Sequence, residues 1–373
     1  NRAYFYNQQF TLKGDSSVKF DLIVSLSGDT FYILELVPIQ NKQSCSGFCI
    51  AKITEKLVQE DSLEKVFEVA TNFIAKEVGY DRVMISKFDK NYNGQVVYEV
   101  KANDLPSYLN LCYPASDIPS QARDLYLKNH IRIITDSSYT PSKIISESKN
   151  PIDLTYSFLR SVSPIHLEYM RNMGVVASMT ISLIINGKLW GLIACHNRHN
   201  TMPSVKIINE SEYLGKIVSS LIHHQSQKAI PQQMSNFIGK TDLLLELFQK
   251  HSFFEFEEII SKNLEYIKKL FNADGIILSH ENFFNFIDIA IESEQVISLI
   301  SHITPILESQ EYFYTDSLAN TFKSLELTIL KECAGIMALT IIPNENFYLI
   351  LTRVEREREL NWGGNPDEKI ADS

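Results

Sequence analysis

No apolar run in this chain approaches the ~18 residues that a membrane-spanning helix needs. The N-terminus also lacks the basic, apolar and small-residue layout of a secretory signal. No membrane association is expected. Cysteine is scarce, with five in 373 residues. Cys45, Cys49, Cys112, Cys195 and Cys333 form neither a disulfide framework nor a paired zinc pattern. A reducing, cytoplasmic setting is the natural reading. Positive charge is short as well: the formal net charge of −10 leaves no basic face for sequence-independent nucleic-acid binding. No kinase-type phosphate loop or phosphoacceptor motif is visible, so the chain is not expected to be catalytic itself. His196-Asn197-Arg198-His199 has no carboxylate or cysteine at ligand spacing, so no metal is expected there. His223-His224 reads as a solvated helix face.

A chain of this length suggests two or three domains. Residues 18–37 read as a hairpin, Val18–Leu26 and Thr30–Val37, around Ser27-Gly28-Asp29. Two strands alone are marginal, so further sheet partners are expected, upstream of Asn1 or on a neighbouring domain. An amphipathic helix follows, with Asp61 and Glu64 at capping-box spacing and Gly79 as its stop. Arg82–Phe88 and Gln95–Lys101 read as strands, Ala122–Asn129 as a helix and Ile131–Thr135 as a strand. Residues 136–157 have no period, which in a compact domain marks a functional or disordered loop. Ser178–Ile185 and Lys188–His196 form a hairpin through the type I′ turn signal Asn186-Gly187. Asn209–Lys250 reads as a helical spine, broken or strained near Pro231, and as a possible dimer surface. A third domain follows: helices Phe253–Phe271 and Val296–Leu307, and strands Gly275–Ser279, Met337–Ile342 and Phe347–Arg353.

Two stretches carry the chemistry. In Cys112-Tyr113-Pro114-Ala115-Ser116-Asp117-Ile118-Pro119 the prolines fix the backbone around one carboxylate. In Ser163 to Gly174, Ser163 is the expected N-cap, Pro164 the first helical residue and Gly174 the stop, so His166 is held on a short rigid helix. Strand parity puts Ser178, Thr180 and Ser182 on one face and Met179, Ile181 and Leu183 on the other. Those hydroxyls face either solvent or an internal cavity. The almost wholly apolar neighbour Leu189–Cys195 should be covered on both faces, which points to a cavity. Arg132 and Arg160 offer cations, Tyr113, Tyr126 and Tyr169 aromatic walls, and His166 and His196 polar groups.

Pro114–Pro119, Leu159-Arg160, Ser163–Gly174, Ser178–Ser182 and Leu189–His196 together resemble the bilin-binding core of bacteriophytochromes. The resemblance implies an α+β fold of tandem domains, each an antiparallel sheet flanked by helices and joined by the spine. These are part of a PAS domain over 1–45, a GAF domain over 46–228 and a PHY domain over 229–373, whose tongue begins at Trp362-Gly363-Gly364-Asn365-Pro366. The chain would be incomplete at both ends. The implied cofactor is the linear tetrapyrrole biliverdin. Asp117 and His166 would organise hydrogen bonds around its pyrrole nitrogens, Tyr126, Arg132, Arg160, Ser178, Thr180 and His196 would meet its propionates, and Ile118 and Ser163 are further expected cofactor-binding residues. Tyr113 and Tyr169 would complete the slot. Ser86 falls where the family usually carries a tyrosine against the terminal ring.

The pattern has departures. The cysteine that some relatives carry before the histidine is Ile165 here, and the N-terminal attachment cysteine of bacterial relatives would lie outside this chain. The implied function is red/far-red sensing by bilin isomerisation, passed from a homodimer to a downstream kinase and response regulator. The rivals are a GAF module for a cyclic nucleotide or other small ligand, a metal-dependent enzyme using Asp117, His166 and His196, and a pigment-free dimerising scaffold.

Overall fold

The computed structural model describes residues 4–12, 15–27, 31–39, 50–147, 152–250, 255–281, 283–342, 345–356 and 359–363. The hairpin turn at 28–30, Cys45, Cys49, the first residues of the helix expected from Phe253, and Gly364-Asn365-Pro366 lie outside them. The chain divides into two units, Asn1–Lys228 with Leu360–Ser373, and Ala229–Glu359.

The first unit opens with an antiparallel sheet of β1 (Tyr4–Leu12), β2 (Asp15–Ser27) and β3 (Phe31–Pro38), in that order. The third strand that the hairpin requires is therefore β1, downstream of Asn1. Helices α1 (Ile50–Val58) and α2 (Leu63–Val78) follow. The cap of α2 is Ser62 rather than Asp61: its side chain accepts from the Lys65 amide, and Gly79 ends the helix in the left-handed region. The central sheet runs β6-β5-β4-β9-β8-β7 and is antiparallel throughout. Its strands are β4 (Arg82–Phe88), β5 (Gly94–Lys101), β6 (Cys112–Tyr113), β7 (Ile131–Ile134), β8 (Ala177–Ile185) and β9 (Lys188–Asn197). Asn186 and Gly187 both take positive φ, as a type I′ turn demands. One face of this sheet presents Ile85, Met179, Ile181, Ile193 and Cys195, all fully buried in one core with Val66, Ile74 and Leu214 from the helices. The other face holds the site. Over it lie α3 (Ser120–Lys128), α4 (Pro164–Asn172) and the turn Ala115–Asp117.

Helix α5 runs unbroken from Val205 to Lys250. Of the break or strain expected near Pro231, the break does not occur: a proline removes one backbone hydrogen bond, and the helix continues through it. The second unit has α6 (Phe256–Leu270) and α7 (Ser293–Leu307), with short helices α8 (Leu318–Thr321) and α9 (Leu327–Glu332). Its sheet runs β11-β10-β14-β13-β12, from β10 (Gly275–His280), β11 (Phe283–Ile287), β12 (Tyr312–Thr315), β13 (Gly335–Ile342) and β14 (Phe347–Arg353). Separate cores lie on its two faces. Among the described residues no helix is long and apolar enough to cross a membrane.

Candidate functional site

Strand register explains why the site residues share a face. Met84 and Thr180 both pair with Ala194, Ser86 pairs with Leu192, and Ser178 with His196. Alternate residues on β4, β8 and β9 thus form one wall of a cavity. The opposite wall comes from Tyr113, Asp117, Ile118, Tyr126, His166, Tyr169, Met170 and Met173. The cavity holds about 110 Å³ of room for water-sized occupants, within about 870 Å³ of unfilled space that includes open solvent. The hydroxyl face of β8 divides: Ser178 and Thr180 line the cavity, while Ser182 Oγ donates to the Tyr126 carbonyl at 2.8 Å.

The Asp117 turn is fixed from outside. Arg123 Nη1 donates to the carbonyls of Ile118 (2.6 Å) and Ala115 (3.3 Å), and Asn93 Oδ1 accepts from the Ala115 amide at 3.1 Å. Burial raises the Asp117 carboxyl, opposed by a hydrogen bond from Tyr169. The Tyr169 phenol is pushed up, mainly by burial and then by the carboxylate's charge. Burial also lifts Tyr113 to about 12 and raises Tyr126, which bonds to Thr180. Both histidines are held down. His166 is lowered by burial and by Arg132, and His196 falls to about 4 through burial, Arg82 and His166. His196 is therefore neutral at pH 7. Its Nδ1 is buried and has no hydrogen-bond partner among the described residues. Orphaned buried groups are costly, so this nitrogen fits a polar occupant of the cavity.

Three expected residues stand apart from the lining. Arg132 lies opposite Thr180 in register, but its guanidinium turns to backbone carbonyls, those of Arg160 (2.7 Å), Phe158 and Ser161 (both 3.3 Å). Burial and the neighbouring Arg160 lower it to about 10. Arg160 Nη1 donates to the Ser157 (3.0 Å) and Thr155 (3.3 Å) carbonyls. Neither arginine reaches the wall, although Arg132 is near enough to act on His166. Ser163 is exposed and precedes α4 without a side-chain cap bond. Sequence reasoning missed Met84, Phe88, Leu192 and Ala194, which strand parity on β4 and β9 would have given. It also missed Arg123, whose partners are carbonyls. The described cysteines, Cys112, Cys195 and Cys333, are free and buried, and none lines the cavity. Trp362 forms a parallel bridge with Cys112: the Cys112 amide donates to the Asn361 carbonyl at 2.7 Å, and the Gly363 amide to the Cys112 carbonyl at 2.8 Å.

Comparison with known proteins places this arrangement. Residues 62–210 match the GAF domain family model, and residues 240–373 match the phytochrome region model. Cyanobacterial phytochrome B of Nostoc sp. (strain PCC 7120) is 33% identical over 371 residues, covering 97% of this chain and 49% of the relative. A bacteriophytochrome of Pseudomonas aeruginosa is 29% identical, covering 94% and 48%. The phytochrome photosensory core module of Stigmatella aurantiaca superposes with TM-score 0.80 at 31% identity, covering 96% of this chain and 71% of that structure. A bacteriophytochrome from R. palustris gives TM-score 0.80 at 28% identity, covering 93% and 70%. The chain belongs to the phytochrome family, and what it spans is that family's photoreceptor sensory module. It covers about half the length of the curated relatives it matches.

Proposed function

We propose that the cavity binds a linear tetrapyrrole, biliverdin, and that the chain is the red/far-red sensing part of a longer signalling protein. The observation that carries this reading is one apolar, aromatic-walled cavity joining a half-buried carboxylate, a depressed His166 and an unpartnered His196 Nδ1. When bound, the pigment supplies visible absorption and a double bond that isomerises in light.

The protein's own part is to hold and to respond. Ile118, Tyr113 and Tyr169 make a slot for a flat plate, and Asp117 and His166 offer polar atoms to its nitrogens. Ser178, Thr180 and Tyr126 offer hydroxyls. Arg160 keeps Nε and Nη2 free of protein partners among the described residues, which leaves donors for a ligand carboxylate. Ser163 and Arg132 stand outside the lining and would have to turn toward that polar end as the ligand binds. Rearrangement of the Asp117–Tyr169 bond would pass to Tyr113, whose neighbour Cys112 pairs with Asn361-Trp362-Gly363. A homodimer through α5, a cytoplasmic setting, and output through a histidine kinase and response regulator belong to the same proposal.

The test is to mix the pigment-free chain with biliverdin and to record spectra before and after red illumination. A red-absorbing complex that changes reversibly is expected. Absence of a complex overturns the reading, and denaturing the loaded protein reports whether the pigment is covalently attached.

A further inference from the structure

Glu35 lies on the inward-facing parity of β3. It is 7 % exposed and Val37 3 %, whereas Leu34 and Leu36 are 64 % and 41 % exposed. Its carboxylate grips a segment of the central domain. Oε1 accepts from the Ser157 hydroxyl at 2.8 Å and the Leu159 amide at 2.6 Å, and Oε2 accepts from the Phe158 amide at 2.8 Å. Ser27 adds a second tie, donating to the Asp153 carbonyl at 2.6 Å. The carbonyls of the same segment are held by guanidinium groups. Arg132 takes those of Phe158, Arg160 and Ser161, and Arg160 takes those of Thr155 and Ser157. The Ser157–Leu159 backbone is thus anchored by an anion on its N–H side and two cations on its C=O side.

We infer that Glu35 is a positioning residue for Arg132 and Arg160: it fixes the segment on which both guanidiniums rest. The N-terminal sheet thereby sets how tightly the cavity holds a ligand's carboxylates. The inference deepens the bilin reading and rests on it. Glutamine at this position keeps one acceptor oxygen but sets an NH2 against one of the donors, such as the buried Phe158 amide, so a bond is lost together with the charge and the seats of both cations shift.

The test titrates the full chain, wild type and Glu35→Gln, with biliverdin and with biliverdin dimethyl ester. The ester keeps the conjugated plate and its nitrogens but carries no carboxylate charge. Biliverdin binding should weaken about tenfold in the variant and ester binding about twofold at most. Amide exchange at Phe158 and Leu159 should also quicken in the pigment-free variant. Equal weakening of both pigments would mark a merely structural role and overturn the inference. Unchanged biliverdin binding, or unchanged exchange, would do the same. Should Glu35→Gln fail to fold, Ser157→Ala removes one of the three bonds. A smaller loss confined to biliverdin is then expected, and no selective loss is the overturning result. A wild-type chain that takes up neither pigment removes the bilin reading itself, an outcome distinct from a wild type that binds beside a variant that does not discriminate.

Discussion

Replacing His196 by Gln should flatten the fall in stability of the pigment-free chain between pH 7 and pH 5. Burial, with help from Arg82 and His166, holds the folded imidazole at about 4, against roughly 6.5 in an unfolded chain. The unfolded form takes up a proton that the folded form resists. The stability tied to this group is therefore fully present above pH ~6.5 and drains away as the pH falls toward the folded value. For one such group the loss between pH 7 and pH 5 comes to about 2 kcal/mol. Glutamine does not titrate, so the wild type should lose about that much more than the variant over the same step. Other shifted groups occur in both proteins and drop out of the comparison. Among them are Asp117, raised, and Glu212, lowered to about 2 with His130 and Lys216 as partners. Urea unfolding followed by tryptophan fluorescence is a suitable assay. The chain has two tryptophans, and Trp190 on β9 and Trp362 both belong to the unit that holds the cavity. Parallel pH profiles for the two proteins would refute the reasoning, because the imidazole would then have to be solvated in the folded state.

Arg132→Ala strips donors from three carbonyls, and urea unfolding should show a loss of about 2–3 kcal/mol; a loss within ~0.5 kcal/mol would mean that water replaces the guanidinium freely. Gly191→Ala would drive a Cβ into the Ser86 carbonyl oxygen, between paired strands. Melting should drop by several degrees, reflecting a cost of about 2 kcal/mol or more, and an unchanged midpoint would contradict that contact. Tyr169→Phe removes the donor to Asp117, so the carboxyl should rise further from its ordinary value. In loaded protein, any absorbance change that follows Asp117 should move to higher pH. Ser86→Tyr fills cavity space beside Met84 and Phe88 and should alter the yield of photoconversion under red light. An identical yield would show that position 86 does not bear on the ring.

Much of the central domain was legible because its signals are local. The Asn186-Gly187 turn, the Gly79 stop and the hydroxyl parity of β8 each follow from one residue type in one backbone state. Elements failed where two local choices compete. Asp61 and Ser62 can both cap a helix, and only the settled backbone selects Ser62. Pro231 signals a break, yet α5 continues through it. Strands β11 and β12 are short aromatic runs at the two edges of their sheet, where pairing on one side alone weakens the expected alternation. Strand β1 pairs with β2 through two register irregularities, which blur its period.

The site divides along the same line, and the division has a physical cause. Side-chain chemistry marks itself: a carboxylate among prolines, a histidine on a capped helix and hydroxyls at alternate positions are unusual choices that the sequence displays. A backbone carbonyl marks nothing, because every residue carries one. The sequence therefore pointed to Arg132 and Arg160 as cations but not to their seats on residues 155–161, and it passed over Arg123 for the same reason. One trace of the hidden partner was nonetheless visible. In Ile33-Leu34-Glu35-Leu36-Val37 the charge shares its parity with Ile33 and Val37, so a strand buried on that face must bury the carboxylate. A buried charge needs donors. The donors are the amides of Phe158 and Leu159 and the Ser157 hydroxyl, which is how a short N-terminal strand comes to grip the segment that seats both arginines.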